Sequence, residues 1–401
     1  MTNLTIAVTV GVMNTYKKCP LDKDCGGCAL MSYPYPIQLE FKEELVEDIL
    51  GKFGPIAPII GMDDPTHYRH KAQAVFGYDY HHKVISGNYR EGTHYIVPVT
   101  GCLVEHPKAD AIFSTVRSLM NRFRIEPYDE DEQVGYIRHV LVKVSRFTGE
   151  AMVVLVSGEW PIPNKNDFIS ILRQRHPEIT TISLNMNNER TSMVLSEIPE
   201  KLLYGKGYIE EKICGLTFRI SAKSFFQINP EQTEILYTIA MRMAQLTSGD
   251  SVIDAYCGTG TIALIAASMG VKQVLGIESN PDAVDDAIRN AKANKLENAD
   301  FICADASVYI KEMAKEKQSC DVLFLDPPRN GSDERFLAAA LKMGPRKIIY
   351  VSCNPDTLER DLRYVLRFGP YEVRGIQPVD MFPHTKHVET VVLLERMLFP
   401  I

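Results

Sequence analysis

Long apolar runs are missing from this chain. None of its hydrophobic stretches approaches the roughly 18 residues that a membrane span requires, and the opening Met1-Thr-Asn-Leu-Thr5 has neither the charged region nor the cleavage site of a secretory leader. Cysteine is scarce: nine in 401 residues, unevenly spread, are too few for a disulfide scaffold, which leaves reduced thiols, metal ligation or catalysis. Positive net charge is absent too. A formal charge of −7 exerts no general pull on phosphates, so any nucleic-acid contact has to come from a local basic face. Internal repeats and low-complexity tracts are also lacking. A cytoplasmic globular protein without a membrane partner is expected, its 45% hydrophobic content spread over about two or three domains.

What is present changes character near Cys214 to Lys223. From about Gln227 to Ile401, short β-branched runs alternate with amphipathic stretches, the pattern of βαβ units and a parallel sheet. Strands are expected at Ser251–Ala255, Gln273–Glu278, Asp300–Cys303, Val322–Asp326, Lys347–Ser352 and Tyr371–Pro378, with a further one over Val388–Glu395. Helices are expected to begin near Pro230, Thr261, Pro281, Ala306, Ser332 and Pro355, several of them with proline or a small polar residue in the first turn. The first half has short alternating segments, Lys71–Tyr80, Lys83–Tyr89, Val140–Arg146 and Ala151–Val156, with few helices between them. An antiparallel α+β module is the expectation there.

Three motifs in the second half carry chemistry. Asp254-Ala-Tyr-Cys-Gly-Thr-Gly260 joins a strand to a helix start through glycines that let a ligand approach the backbone, and the next strand ends in Glu278, able to accept bonds from ribose hydroxyls. The full G-x-G-x-x-G fingerprint is not there. Together these features point to S-adenosylmethionine, whose sulfonium end needs no phosphate cradle. Asp326-Pro-Pro-Arg329 ends a strand in a fixed extended turn without amide donors, leaving carbonyls and the Asp326 carboxylate free for a ligand. Alone, it is similar to the loop of methyltransferases acting on exocyclic amines. Val351-Ser-Cys-Asn-Pro355 changes that reading, because Cys353 falls at the carboxyl end of a strand, where open parallel sheets keep their chemistry. A thiolate adding to C6 of a uracil ring makes C5 an enolate carbon able to take a methyl group. The C5 proton then needs a base, for which Glu389 in His387-Val-Glu-Thr390 is the candidate.

The first half offers cysteines and bases. Cys19, Cys25 and Cys28 form a C-x5-C-x2-C run, with Cys102 as a fourth thiol, a spacing nearer to iron–sulfur ligation than to zinc, though zinc stays open. Between them, His67-Tyr-Arg-His-Lys71, Tyr78, Tyr80, Lys83, Tyr89 and Arg90 interleave basic and aromatic side chains, as a surface that stacks bases and holds phosphates requires. Six of the ten histidines lie in residues 67–106, without a metal-ligand pair among them.

This constellation resembles the RNA uracil-5-methyltransferase family over most of the chain. The matching stretches are Ser224-Phe-Phe-Gln-Ile-Asn229, the Asp254–Gly260 turn, Glu278, Asp305, Asp326-Pro-Pro-Arg329, Ser352-Cys-Asn-Pro355 and His387-Val-Glu389. The resemblance implies an α/β protein: a class I, Rossmann-like methyltransferase domain over residues 221–401, a central α+β module over 111–220, and an iron–sulfur and RNA-contact region over 1–110. It further implies Cys353 as nucleophile and Glu389 as base. Gln227, Tyr256, Glu278, Asp305 and Asp326 become cofactor contacts, and Cys19, Cys25, Cys28 and Cys102 the ligands of a four-iron, four-sulfur cluster. Members with that cluster commonly act on ribosomal RNA, so C5 of a uridine in 23S ribosomal RNA is the expected target. A transfer-RNA loop uridine is the alternative, and a non-catalytic RNA-binding assembly protein a third reading; no obligate protein partner is implied. Many cluster-bearing relatives begin with an OB-like barrel, whereas 18 residues precede Cys19. The stretch from His67 to Arg90, with Arg138, is therefore expected to carry more of the RNA grip.

Overall fold

The computed structural model describes residues 18–397, so the expectation for Met1 to Thr5 falls outside the described residues. The first half runs α1 (Tyr35–Leu50), β1 (Lys71–Tyr78), β2 (Val84–Tyr89), β3 (Ile96–Pro98), α2 (Pro107–Phe123), β4 (Ile137–Val144), β5 (Ala151–Ser157), α3 (Lys165–Arg175), β6 (Ile179–Met186) and β7 (Lys201–Gly205). A hairpin of β8 (Ile209–Ile213) and β9 (Leu216–Ile220) leads into the second half. There follow α4 (Pro230–Ala244), β10 (Ser251–Ala255), α5 (Thr261–Ser268), β11 (Gln273–Glu278), α6 (Pro281–Ala293), β12 (Ala299–Cys303), α7 (Ala306–Lys315) and β13 (Val322–Leu325). The chain then continues through α8 (Glu334–Met343), β14 (Lys347–Ser352), α9 (Pro355–Phe368), β15 (Tyr371–Val379) and β16 (Glu389–Arg396).

Helix starts in the second half follow one local rule. Asn229, Asn280 and Asn354 each precede a proline and accept a backbone N–H of the first turn, from Gln232, from Asp282 and Ala283, and from Asp356. Asp305 and Asp333 do the same for α7 and α8. A short polar acceptor followed by a residue with fixed φ satisfies the orphan donors of a helix N-terminus.

The second-half sheet has the order β12-β11-β10-β13-β14-β16-β15. Strands β10 to β14 are parallel, and β16 inserts antiparallel between β14 and β15. Strand order reverses between β10 and β13, so the crevice at their carboxyl ends is the ligand position for this architecture. One face of the sheet packs on α7, α8 and α9, the other on α4 and α5. Helix α1 joins the first of these layers: Val46 and Leu50 enter its core, and Ile56 and Ile60 bridge to Ile376 and Val379.

The first-half sheet, β3-β2-β1-β4-β5-β6-β7, is antiparallel apart from the parallel β5–β6 pair, whose crossover is α3. Helices α2 and α3 cover its apolar face. The division expected near residue 110 runs through this sheet, because β1 pairs directly with β4. The reason is long-range pairing: residues some seventy positions apart form one ladder, from Lys71↔Lys143 to Val75↔His139, and no local signal records it. No helix among the described residues is long and apolar enough to cross a membrane.

Candidate active site

Three neighbouring strand ends bring the predicted reactive residues together. Asp326 follows β13, Cys353 follows β14, and Glu389 opens β16. The register Ser352↔Thr390 sets Glu389 next to Cys353 across the ladder. Glu389 is only 3% exposed, and burial, reinforced by Asp326 and opposed by Arg329, pushes its carboxyl well above the usual range. The Cys353 thiol is pushed up to about 11 by burial first, then by Glu389 and Asp326, with Arg329 pulling the other way. Burial also raises Asp326 to about 7, although part of its surface reaches solvent. A thiol beside two carboxyls whose hold on a proton is strengthened by burial is a set able to pass protons. The Arg329 carbonyl accepts from Asn354 Nδ2 at 3.1 Å and Thr357 Oγ1 at 3.2 Å, fastening the Asp-Pro-Pro-Arg loop to the turn that carries Cys353. Arg329 Nη2 lies 2.8 and 3.0 Å from the two ring nitrogens of His387.

Across the switch point lies the predicted cofactor side. Tyr256 and Gly258 have φ of 67° and 54°, and the tyrosine, which has a side chain to crowd, marks backbone held in place by its surroundings. A Cβ on Gly258 would meet nothing within 4 Å, so open space lies before it. The Gly258 N–H donates to Glu278 Oε2 at 3.1 Å, and Asn280 N–H to Oε1 at 2.8 Å, which aims the carboxylate along that space. Asp305 caps α7 and lies close enough to influence Tyr256. Gln227 stands beside the buried Tyr237 phenol, itself a neighbour of Asp326, Glu389 and Asp254. A cradle with an acidic wall and open glycine backbone, ending at Asp326, fits a nucleoside joined to a sulfonium.

Two residues of this site escaped sequence reasoning. Tyr237 falls in the apolar periodicity of α4 and carries no signal that separates it from core. Asp254 is fully buried; its Oδ2 accepts from Ala263 N–H at 2.8 Å, while Oδ1 finds no partner among the described residues. An acid inside a hydrophobic strand was the available clue.

The four predicted cysteines line one cavity of about 440 Å³, counted to its open mouth, with Met31 and Val104 behind them. Burial pushes the Cys28 thiol up to about 12, helped by Cys102 and Cys25 and opposed by Arg69. Cys102 rises to about 11 through burial and Glu105. Asn88 Nδ2 donates to Cys25 Sγ at 3.5 Å. All four are free thiols. Among the described residues, no three His, Cys, Asp or Glu side chains converge tightly enough to hold a single metal ion.

The expected RNA face divides. Tyr78, Tyr80 and Tyr95 are exposed, with the Tyr80 and His81 rings 3.9 Å apart. Tyr68 is buried, its hydroxyl donating to the Pro383 carbonyl. Arg138, expected to hold RNA, is buried instead: Nε pairs with Glu130 at 2.9 Å, and Nη1 and Nη2 donate to the carbonyls of Glu189 and Thr191. Three of its five N–H donors are committed inside the fold, and the side chain is buried rather than presented to a phosphate.

Comparison with known proteins gives a consistent result. The family model described as tRNA (uracil-5-)-methyltransferase matches residues 192–397. An uncharacterized RNA methyltransferase of Caldanaerobacter subterraneus is 43% identical over 383 residues, covering 94% of this chain and 84% of the relative. One from Bacillus cereus is 40% identical over 385 residues, 95% of this chain and 83% of the relative. Among solved structures, the Pyrococcus abyssi tRNA (uracil-54, C5)-methyltransferase in complex with S-adenosyl-L-homocysteine superposes with a TM-score of 0.76 at 26% identity, covering 94% of this chain and 87% of that one.

Proposed function

Because this chain belongs to the RNA uracil-5-methyltransferase family, we propose that it transfers a methyl group from S-adenosylmethionine to C5 of a uridine in 23S ribosomal RNA. The juxtaposition of Cys353, Glu389 and Asp326 at neighbouring strand ends carries this reading. The target base has to leave the stack, since C6 of a stacked uridine is out of a thiol's reach. Cys353, half-buried and so open to solvent, releases its thiol proton to water with the Arg329 charge favouring the thiolate, and its sulfur bonds to C6, sending the ring electrons toward C5. Gln227, Tyr256, Glu278, Asp305 and Asp326 would hold S-adenosylmethionine, whose sulfonium would supply the electrophilic methyl group to C5 and leave as S-adenosylhomocysteine. Glu389 as carboxylate then takes the proton from C5; the C5–C6 double bond re-forms and the Cys353 sulfur leaves C6 with its electron pair. Incubation with 5-fluorouridine RNA and S-adenosylmethionine is expected to yield a stable covalent complex, because Glu389 cannot remove fluorine. Methyl transfer persisting in Cys353→Ala would overturn the covalent route.

The ribosomal target rests on the four cysteines, whose soft thiols in one cavity suit an iron–sulfur cluster. Thiolates on separate irons stand apart around an inorganic core, unlike ligands that share one ion. Cys19, Cys25, Cys28 and Cys102 would hold such a cluster as a structural staple, since methyl transfer needs no electron. Protein purified without oxygen is expected to be brown, absorbing near about 400 nm; colourless protein containing zinc would reverse the assignment. A transfer-RNA target is supported by the likeness to the Pyrococcus abyssi tRNA (uracil-54, C5)-methyltransferase. Assays with unmodified 23S ribosomal RNA and transfer-RNA transcripts separate the two, the wrong substrate giving background incorporation.

A further inference from the structure

A second cavity, about 280 Å³ counted to its mouth, lies where the first-half sheet meets the segment leading into α4. Its lining includes His70, Lys71, Lys143, Glu211, Phe226 and Gln227. Lys71 and Lys143 face each other directly in the β1–β4 register. Like charges in such a pair repel across roughly 5 Å and destabilise the ladder. Both are desolvated, and the Lys71 ammonium has neither ion pair nor hydrogen bond among the described residues. Lys143 Nζ is held by the carbonyls of Ser221 and Ser224 at 2.8 and 2.9 Å. His70 uses Nδ1 on the Val144 carbonyl at 3.0 Å, leaving Nε2 uncommitted. The lining's carboxylate, Glu211, is turned into the wall, accepting the N–H groups of Arg146, Phe147 and Lys212. Lys143 has the nearby Asp286 and Glu200 charges as well as its two carbonyls, whereas the charged neighbour of Lys71 is another cation, Arg69; an anion at Lys71 would supply the missing counter-charge.

Position identifies the anion. Gln227 lines this cavity and also stands beside Tyr237, the neighbour of Asp326 and Glu389. The cavity therefore connects to the reacting groups through two side chains, Gln227 and Tyr237. A nucleotide whose base is turned in toward Cys353 leaves its sugar–phosphate at the rim. We propose that the Lys71–Lys143 cavity is a phosphodiester subsite that grips the RNA strand next to the flipped uridine, with Lys71 as its principal contact. This rests on the RNA-methylating reading above. Removing Lys71 also removes the like-charge repulsion, so the variant is expected to fold.

The test compares Lys71→Gln and Lys71→Arg with the unsubstituted protein, using unmodified 23S ribosomal RNA and transfer-RNA transcripts as probes. RNA affinity by filter retention over a salt series, S-adenosylmethionine affinity by calorimetry, and KM and kcat are measured. Lys71→Gln is expected to weaken RNA binding roughly tenfold, raise KM for RNA with kcat little changed, and lower the salt slope by about 1. S-adenosylmethionine affinity stays the same and Lys71→Arg restores most of the loss. Unchanged RNA affinity and slope overturn the subsite. A matching loss of S-adenosylmethionine affinity overturns it in favour of the cofactor's own carboxylate. If the unsubstituted protein binds RNA but methylates neither transcript, the functional reading falls while the slope still decides the subsite.

Discussion

At the scale of single residues, the site consists of groups whose burial sets their protonation. Burial and Asp326 push the Glu389 carboxyl well above the usual range, so the proposed base binds a proton more tightly than a free carboxylate, while burial leaves the proposed nucleophile Cys353 a weaker acid than a free thiol. Glu389→Gln keeps the shape and removes the base, and a fall in turnover of about 10²–10⁴-fold is expected. Because elimination of the sulfur depends on that base, the methylated covalent complex should accumulate and show as a shifted band on a denaturing gel; normal turnover without such a band would remove Glu389 from its role. Asp326 gives a stability prediction. Its carboxyl rises from 3.8 to about 7, so between those values the folded protein keeps a proton that the unfolded chain has released. Its favourable contribution is complete below the ordinary value and is lost as pH climbs through 7. Asp326→Asn is therefore expected to stabilise the fold at pH 8 by on the order of 1–3 kcal/mol after allowance for its partial exposure, seen as a higher melting temperature, with the gain vanishing near pH 4. Melting curves at both pH values check this, and a variant less stable at pH 8 contradicts it.

Elements show where the chain announces itself and where it does not. Second-half strands and helices were legible because each is one hydrophobic run closed by a polar cap or a glycine; only edges moved, as when the helix expected at Ser332 begins at Glu334 behind the Asp333 cap. That Cys353, Asp326 and Glu389 would lie at strand ends was legible from the runs they close or open, and open parallel sheets keep their chemistry at such ends. The first-half sheet was harder, since its β1–β4 ladder and its parallel β5–β6 pair depend on contacts distant in sequence. Arg138 looked like an RNA contact because sequence alone cannot tell a basic side chain facing solvent from one tied to Glu130. The turn after β10 separates two glycine roles. Gly258 at φ 54° faces open space, whereas a Cβ on Gly260 would stand 2.9 Å from the Phe301 ring and 3.0 Å from the Ala287 Cβ. Gly258→Ala is expected to weaken S-adenosylmethionine binding by about tenfold or more at a stability cost near 1 kcal/mol. Gly260→Ala should cost roughly 1–3 kcal/mol through overpacking and strain. Paired calorimetry and denaturation separate the two, and equal effects on both readouts would dissolve the distinction.

Over the whole molecule, the first residues described are built into the last. Helix α1 packs in the second-half core, and Leu30 N–H donates to the His384 carbonyl, so the N-terminal region props the loop that leads into Glu389. At its centre Asp380 takes bonds from Lys42 Nζ at 2.6 Å and the Tyr35 hydroxyl at 2.7 Å, both from α1, with the side chains of the ion pair fully buried. Burial lowers the Lys42 ammonium while Asp380 holds it up. Lys42→Met keeps the volume but strands the carboxylate, a loss of about 3–5 kcal/mol. Replacing both partners, Lys42→Met with Asp380→Asn, leaves no uncompensated charge and should recover most of that loss, because the pair's value lies in mutual neutralisation more than in net attraction. Denaturant midpoints of the single and double variants measure this directly. Turnover should follow the same order, since a loosened 380–387 loop displaces Glu389 from Cys353. A Lys42→Met protein within 1 kcal/mol of its parent, or a double variant worse than the single, would show that the two ends of the chain are not coupled through this pair.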